Sequence, residues 1–250
     1  MIQITGATGF AGLNLCKYLE SLHLSTYSLS RSELEQIDSA GLTGSTIIHL
    51  AGKAHDLQKV SKAEEYYQVN FELTKKLYDA FLKSDARKFV FISSVKAVTD
   101  AFEGLLTEDT ESNPLTHYGK SKRLAEQYIL SQILPEGKSF YILRPCMMHG
   151  AGNKGNLNLL YKFVSKGLPY PLAAFQNKRS FLSIGNFCFI IKELVERKDI
   201  PSGIYNVADN EALSTTEVVN LLSQSLGKSI RLLHIPRKVL FFLEKVGDGL

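Results

Sequence analysis

Apolar residues along this chain follow two alternating patterns: short runs of strand length, and segments where they recur every three or four positions. Residues 2–5 (Ile-Gln-Ile-Thr) form the first run, and Leu15, Leu19 and Leu22 then mark a helix by spacings of four and three. Residues 26–29 read as a second short strand. Residues 47–51 (Ile-Ile-His-Leu-Ala) read as a third, β-branched and buried on both faces. A long helix follows, with Val69, Leu73, Leu77, Ala80 and Phe81 along one side. Residues 89–93 (Phe-Val-Phe-Ile-Ser) and 140–143 add two more strands. This alternation predicts an α/β fold, a doubly wound parallel sheet with helices on its faces.

The texture changes near residue 150. Residues 150–155 are glycine-rich and residues 167–171 are punctuated by proline, so both predict loops. Residues 204–207 read as a strand. Ser214-Thr215-Thr216-Glu217 is a capping box opening a helix with Val218, Leu221 and Leu222, and Gly227 is its stop. The expected organisation is a core over residues 1–150 and a smaller part over residues 151–250. The apolar segment 239–246 predicts a packing or surface-contact helix. No run reaches the roughly 18 apolar residues that a membrane span needs. The first residues read as a strand that starts at once, which leaves no room for a secretory leader.

Composition adds little that is special. Apolar residues at 44% and charged residues at 22% fit a globular protein of 250 residues with one sizeable core. The formal charge of +4 is mild, and its densest clusters, Lys75-Lys76 and Lys120-Ser121-Lys122-Arg123, fall on helical stretches. Such runs read as solvated faces, so no nucleic-acid partner is expected. Cys16, Cys146 and Cys188 are odd in number and far apart, which predicts neither a disulfide framework nor a metal cluster and suits a reducing cytoplasm.

Two constellations carry chemistry. Thr5-Gly6-Ala7-Thr8-Gly9-Phe10-Ala11-Gly12 lies between a strand and a helix. Its glycines suit a tight turn, close approach of a pyrophosphate to the backbone, and close packing of helix on strand. The helix N-terminus then offers free N–H groups to phosphate. The Rossmann fingerprint also calls for an acid at the end of the second strand, holding the ribose hydroxyls. That position falls on Ser30, followed by Arg31. A hydroxyl and a guanidinium suit a 2′-phosphate better than an acid would, which favours NADP(H), with NAD as the alternative.

Downstream, Tyr118 and Lys122 stand four residues apart, one turn apart on a helix face. A neighbouring ammonium favours the ionised phenol, and the pair can then move a proton to or from a substrate oxygen while hydride moves to or from a nicotinamide. Ser93 and Ser94 close a buried strand at its carboxyl end, where open parallel sheets face their ligands. One of the two hydroxyls is expected to meet the reacting oxygen, and the other to cap the strand.

Taken together these elements resemble the extended short-chain dehydrogenase/reductase family, in its nucleotide-sugar epimerase/dehydratase/reductase branch. Six motifs occur in the family's order: the Thr5–Gly12 loop, the His49–His55 segment, Val69-Asn70, Phe91-Ile92-Ser93-Ser94, Tyr118 with Lys122, and Leu143-Arg144-Pro145 with Gly150-Ala151-Gly152. The resemblance implies that Ser94, Tyr118 and Lys122 are catalytic. It implies a cofactor site of Gly6, Thr8, Gly9, Phe10, Gly12, Ser30 and Arg31, completed by Leu50, Ala51, Gly52, Tyr118, Lys122 and Pro145. It places Asn156 and Arg179, with Ser94, at the substrate, and Asn70 as a brace of the core. Residues 1–150 would then bind NAD(P), and residues 151–250 mainly the UDP-sugar. The family also implies a homodimer through the helices around residues 64–81 and 120–133; its members continue for tens of residues past the position of Leu250, so the expectation is either a truncated product or a substrate site completed differently.

Departures from the family narrow the chemistry. The 4,6-dehydratases carry an Asp-Glu pair directly after the catalytic hydroxyl residue, where this chain has Val95 and Lys96. Lys96 also stands where the 3,5-epimerising reductases have a cysteine. His149 replaces a common tyrosine and Asn186 a usual aspartate, both as structural changes. Ser93-Ser94-Val95-Lys96, with Gly155-Asn156-Leu157 and Gly167-Leu168-Pro169, resembles enzymes of bacterial surface-polysaccharide synthesis, and that resemblance implies reduction of the C4 keto group of a UDP-linked 6-deoxy-HexNAc. The alternatives are a UDP-sugar 4-epimerase retaining NAD and a non-catalytic NADP(H)-binding relative.

Overall fold

The computed structural model describes residues 1–53, 62–153, 155–175 and 177–236, with Asn156 described in its backbone only. His55 and the expected helix over residues 239–246 lie outside the described residues.

The first half alternates strand and helix as the apolar pattern requires. β1 (Ile2–Thr5), α1 (Phe10–Ser21), β2 (Thr26–Leu29), α2 (Arg31–Glu35) and β3 (Thr46–His49) come first. Then α3 (Ala63–Tyr67) runs through a π-helical turn at Gln68–Glu72 into α4 (Leu73–Lys83). β4 (Lys88–Ile92) leads to a 3₁₀ turn at Val95–Ala97, followed by α5 (His117–Ser131), β5 (Ser139–Pro145) and β6 (Met147–His149). The remainder comprises α6 (Asn156–Ser165), β7 (Arg179–Ser183), α7 (Ile184–Glu196), β8 (Gly203–Val207), β9 (Ala212–Leu213) and α8 (Thr215–Ser225).

Six strands make a sheet in the order β2-β1-β3-β4-β5-β8, and every pairing in it is parallel. Strand alternation splits its side chains between two cores. Ile48, Val90, Tyr141 and Leu143 pack on one face with Leu15 and Leu19 of α1 and Phe187 and Ile191 of α7. Ile47, Phe89, Phe91 and Ile142 pack on the other with Leu77 and Phe81 of α4 and Ile129 of α5. Leu22 departs from the sequence expectation: it is the C-cap of α1 and is exposed, because the helix stops there.

Two lysines close helix ends. Lys138 Nζ donates to the carbonyls of Phe81, Ser84 and Ala86 beyond α4, and Lys88 Nζ to those of Leu194, Val195 and Arg197 at the end of α7. Each cation meets carbonyl oxygens at or just past a helix C-terminus, where a positive charge is favourable.

The chain divides into two compact units. The first holds Met1–Met148 and Leu182–Ala208, so the chain returns to it to supply α7 and β8. The second holds His149–Phe181 and the residues from Asp209 onward. In it Val164 of α6, Tyr170 and Val219 of α8 form a small core, and β7 pairs antiparallel with β9. β6, β7 and β9 form a three-stranded sheet in that order. The capping box at α8 is present in both directions, Ser214 with Glu217, and Gly227 just past its end takes the left-handed conformation at φ 62°.

Candidate functional site

The phosphate-binding turn is built by contacts that exclude side chains. Gly6 follows β1 in the left-handed region at φ 71°, and a β-carbon there would lie 2.6 Å from the Ala51 amide nitrogen beyond β3. On Gly12 a β-carbon would stand 2.3 Å from the Gly6 carbonyl oxygen, so α1 is pressed against the turn. Gly9 is the N-cap of α1, no side chain caps it, and no acid stands in the first turn. The first amides of α1, next to exposed Thr8 and half-buried Phe10, are therefore disposed toward an anion. These residues fit a dinucleotide's pyrophosphate.

At the end of β2 the structure adds a residue that the sequence reading omitted. Ser30 caps α2 in a capping box with Glu33. Its Oγ meets Glu33 Oε2 at 2.5 Å and its amide donates to the same oxygen at 2.8 Å, while Tyr27 Oη donates to Oε1 at 2.6 Å. These bonds, Ser30's first, bring the Glu33 carboxyl down to about 2. A carboxylate therefore stands beside the position where the fingerprint expects one, and the Ser30 hydroxyl is committed to it. Arg31 opens α2, exposed to solvent.

Tyr118 and Lys122 do share α5, which is capped by Thr116 through its bond from the Gly119 amide at 3.1 Å. Gly119 lets the first turn of α5 close on the 3₁₀ turn after β4: a β-carbon there would lie 2.3 Å from the Lys96 carbonyl oxygen. That seam brings Ser94 to Tyr118, whose phenol it hydrogen-bonds. The structure also separates the two serines. Ser93 Oγ is buried and donates to Glu126 Oε1 at 2.6 Å, which leaves Ser94 to face the phenol. Burial raises the Tyr118 pKa, opposed by the Ser94 bond; Ser94, and not Lys122 as the spacing led one to expect, is the group that lowers it.

The Lys122 ammonium is almost wholly buried. It donates to the Ile92 carbonyl at 2.9 Å and lies 4.8 Å from the centre of the Phe91 ring. Burial brings its pKa down to about 8, with Glu126 opposing. The Gly52 backbone sits over it: a β-carbon on Gly52 would lie 3.1 Å from Lys122 Nζ and 3.0 Å from Asn70 Oδ1. Asn70 braces that wall, accepting from the Lys53 amide at 2.8 Å and donating to the Lys53 carbonyl at 3.1 Å. Leu50 and Ala51 continue the wall, and Pro145 ends β5, which pairs with β4. Lys96 lies 3.9 Å from Asp100, which in turn anchors the amides of Leu115 and Thr116 ahead of α5.

Asn156 and Arg179 belong to the second unit. Asn156 is the first residue of α6, and Arg179 opens β7, exposed. The same unit has an open cavity of about 460 Å³ lined by Ala173, Phe175, Asn177 and Lys178 and by Ser214, Thr216 and Glu217 at the start of α8. His149 Nε2 lies 3.6 Å from Asp209 Oδ2, and its ring packs edge-on to Phe181. Among the described residues no helix is long and apolar enough to cross a membrane.

Comparison with known proteins gives a consistent result. Residues 2–208 match the model of the NAD dependent epimerase/dehydratase family. The UDP-glucose 4-epimerase of Vibrio cholerae is 30% identical, over 94% of this chain and 78% of that protein. The N-acetyl-alpha-D-glucosaminyl-diphospho-ditrans,octacis-undecaprenol 4-epimerase of Escherichia coli O157:H7 is 29% identical, over 94% and 75%. Among solved structures, MoeE5 in complex with UDP-glucose and NAD superposes with a TM-score of 0.78, covering 93% of this chain and 84% of that one at 22% identity, a likeness of fold. The chain belongs to the NAD dependent epimerase/dehydratase family, the nucleotide-sugar branch of the extended short-chain dehydrogenases/reductases.

Proposed function

We propose that this protein is a UDP-sugar 4-epimerase that retains NAD. The observation that carries the reading is the seam of Ser94, Tyr118 and Lys122, followed by Val95 and Lys96 instead of an acid-base pair for water elimination. Both 4-epimerases named above support it. A bound nicotinamide would supply a reversible hydride acceptor beside the sugar's C4. Tyr118 Oη removes the proton of the C4 hydroxyl and returns it to the same oxygen after the sugar has presented its other face. Ser94 orients the phenol and its hydrogen bond favours the ionised form when the proton leaves, with Lys122 one turn along α5 as the cation of the pair.

Glu33 supports NAD over NADP, because an ionised carboxylate beside the ribose would repel a 2′-phosphate. Asn156 and Arg179, with the cavity of the second unit, would hold the nucleotide diphosphate. Leu124, Leu130 and Ile133, exposed on and just beyond α5, support a homodimer through that helix. Three cysteines, Cys16, Cys146 and Cys188, far apart in sequence and odd in number, suit a reducing, cytoplasmic compartment.

A second reading is a 4-keto reductase using NADPH, and the exposed Arg31 beside Ser30 favours it. Mass spectrometry of the purified protein, then assay with UDP-glucose, UDP-N-acetylglucosamine and a lipid-diphosphate-linked N-acetylglucosamine, separates the two. Co-purifying NAD and an equilibrium mixture of C4 epimers are expected. An empty site that prefers NADPH and reduces a 4-keto sugar would overturn the epimerase in favour of the reductase.

A further inference from the structure

A buried chain of hydrogen bonds links the phosphate-binding strand to the helix of Tyr118 and Lys122, and His49 is its centre. At the end of β3 its ring is fully buried, stacked on Phe91 and tilted against Phe89. Nδ1 lies 2.7 Å from Thr5 Oγ1 and Nε2 lies 2.9 Å from Thr74 Oγ1 on α4.

The neighbours decide where each proton sits. Thr74 Oγ1 donates its only proton to the Asn70 carbonyl at 2.8 Å, so toward His49 it can only accept. His49 must therefore carry its proton on Nε2. Nδ1 is left as an acceptor and accepts the hydrogen bond of the Thr5 hydroxyl, whose Oγ1 itself accepts from the Ala51 amide at 3.0 Å. From Asn70 the chain continues: Nδ2 donates to Ser121 Oγ at 3.0 Å, and Ser121 Oγ donates to the Tyr118 carbonyl at 2.8 Å. Every donor points the same way, from the wall at Ala51 to the first turn of α5. Such chains strengthen one another, and they fail together when one member is lost.

A protonated ring would break this order by adding a second donor against Thr5. Burial opposes that protonation most, and the charge of the Lys122 ammonium adds to it.

We propose that His49 is a positioning residue for the proton-transfer centre, held as the neutral Nε2–H tautomer. It fixes Thr74 and, through it, Asn70 in the π-helical turn, and Asn70 fixes the Gly52–Lys53 wall that lies against Lys122. The functional half of this inference rests on the assignment of proton transfer to Tyr118 and Lys122. The tautomer does not.

Nitrogen-15 NMR of the histidine rings in the intact protein tests the tautomer directly. A neutral Nε2–H signal for His49, unchanged from pH 8 to about pH 5, is expected. An Nδ1–H signal, or a titration near the ordinary histidine value, would overturn the inference whatever the enzyme's substrate.

Kinetics test the positioning. His49→Phe keeps the ring but removes both bonds. It is expected to lower kcat by roughly ten- to a hundredfold, to change the KM for the UDP-sugar by less than about threefold, and to shift the pH profile of kcat. His49→Gln, which retains an N–H toward Thr74, should recover most of that loss. The loss from Asn70→Ala should not add to that of His49→Phe, since both cut the same chain. An unaltered kcat and pH profile, full additivity, or no recovery in the Gln variant would reduce His49 to packing. If Tyr118→Phe leaves turnover intact, the functional reading fails separately, and the NMR result still stands.

Discussion

Glu126 and Arg144 form a two-pronged ion pair sealed from solvent: Arg144 Nε meets Oε1 at 2.9 Å and Nη2 meets Oε2 at 2.7 Å. The carboxylate also accepts from Ser93 and, at 3.3 Å, from Arg123. It lies one turn beyond Lys122 on α5 and supports that ammonium's charge. Glu126→Gln would leave the Arg144 cation buried without its counter-charge. Such a loss costs about 3–5 kcal/mol, to be read as a drop in unfolding free energy by denaturant titration. It should also lower the Lys122 pKa, because the effect removed is one that raises it.

Removal of the phenol hydroxyl isolates the proton step. Tyr118→Phe should lower kcat by about a thousandfold while the retained NAD, measured after denaturation, stays within about twofold. Loss of cofactor along with turnover would assign Tyr118 to binding instead.

Ser94 has a spectroscopic consequence of its own. Its hydrogen bond favours the ionised Tyr118, so Ser94→Ala should raise that phenol's pKa further and slow turnover by roughly ten- to a hundredfold. Ultraviolet difference titration, with Tyr118→Phe to identify the signal, reads the direction; a downward shift would contradict the geometry.

The proposed preference for NAD rests on Glu33. With the carboxyl held near 2, the charge is present throughout the working range. Glu33→Gln should improve NADP binding by about tenfold or more relative to NAD, measured by fluorescence titration of the cofactor-free protein. An unchanged ratio would leave the choice to other residues.

Acid stability carries the signature of His49. Its pKa is brought from 6.5 in the open chain to about 3 in the fold by burial, then by Lys122. Above pH 6.5 that contribution is complete; below it the unfolded chain takes up a proton that the fold refuses, and stability falls until about pH 3. His49→Gln should flatten this part of the profile by roughly a few kcal/mol, compared with wild type by denaturant titration at pH 7 and pH 4.

Much of this was legible in the sequence because it is local. The strand-turn-helix glycine spacing, Tyr118 four residues before Lys122, and the Ser214–Glu217 box are short patterns, and each occurs in the fold as a short-range contact. Glu33 carried a readable signal as well: Ser30-Arg31-Ser32-Glu33 has the same box spacing as Ser214 to Glu217, although the fingerprint's own acidic position falls on Ser30. His49 with Thr74, 25 residues apart, and Ser93 with Glu126, 33 apart, follow no periodicity. Nor does the strand pattern at residues 204–207 tell that the chain must come back to lie beside β5. Those partners become neighbours only when the sheet order is known.

The π-helical turn at Gln68–Glu72 sets two helices out of phase. An α-helix advances about 100° per residue, so one extra residue in a turn rotates everything beyond it by that angle. Before the insertion Tyr66 lies edge-on to Tyr118; after it Leu77 and Phe81 lie in the core under the sheet. A deletion of one residue here would mend the helix and aim these two faces wrongly against each other. The chain thus keeps a local irregularity as a gearing between the face that meets Tyr118 and its interior, and a more regular helix would serve the fold less well.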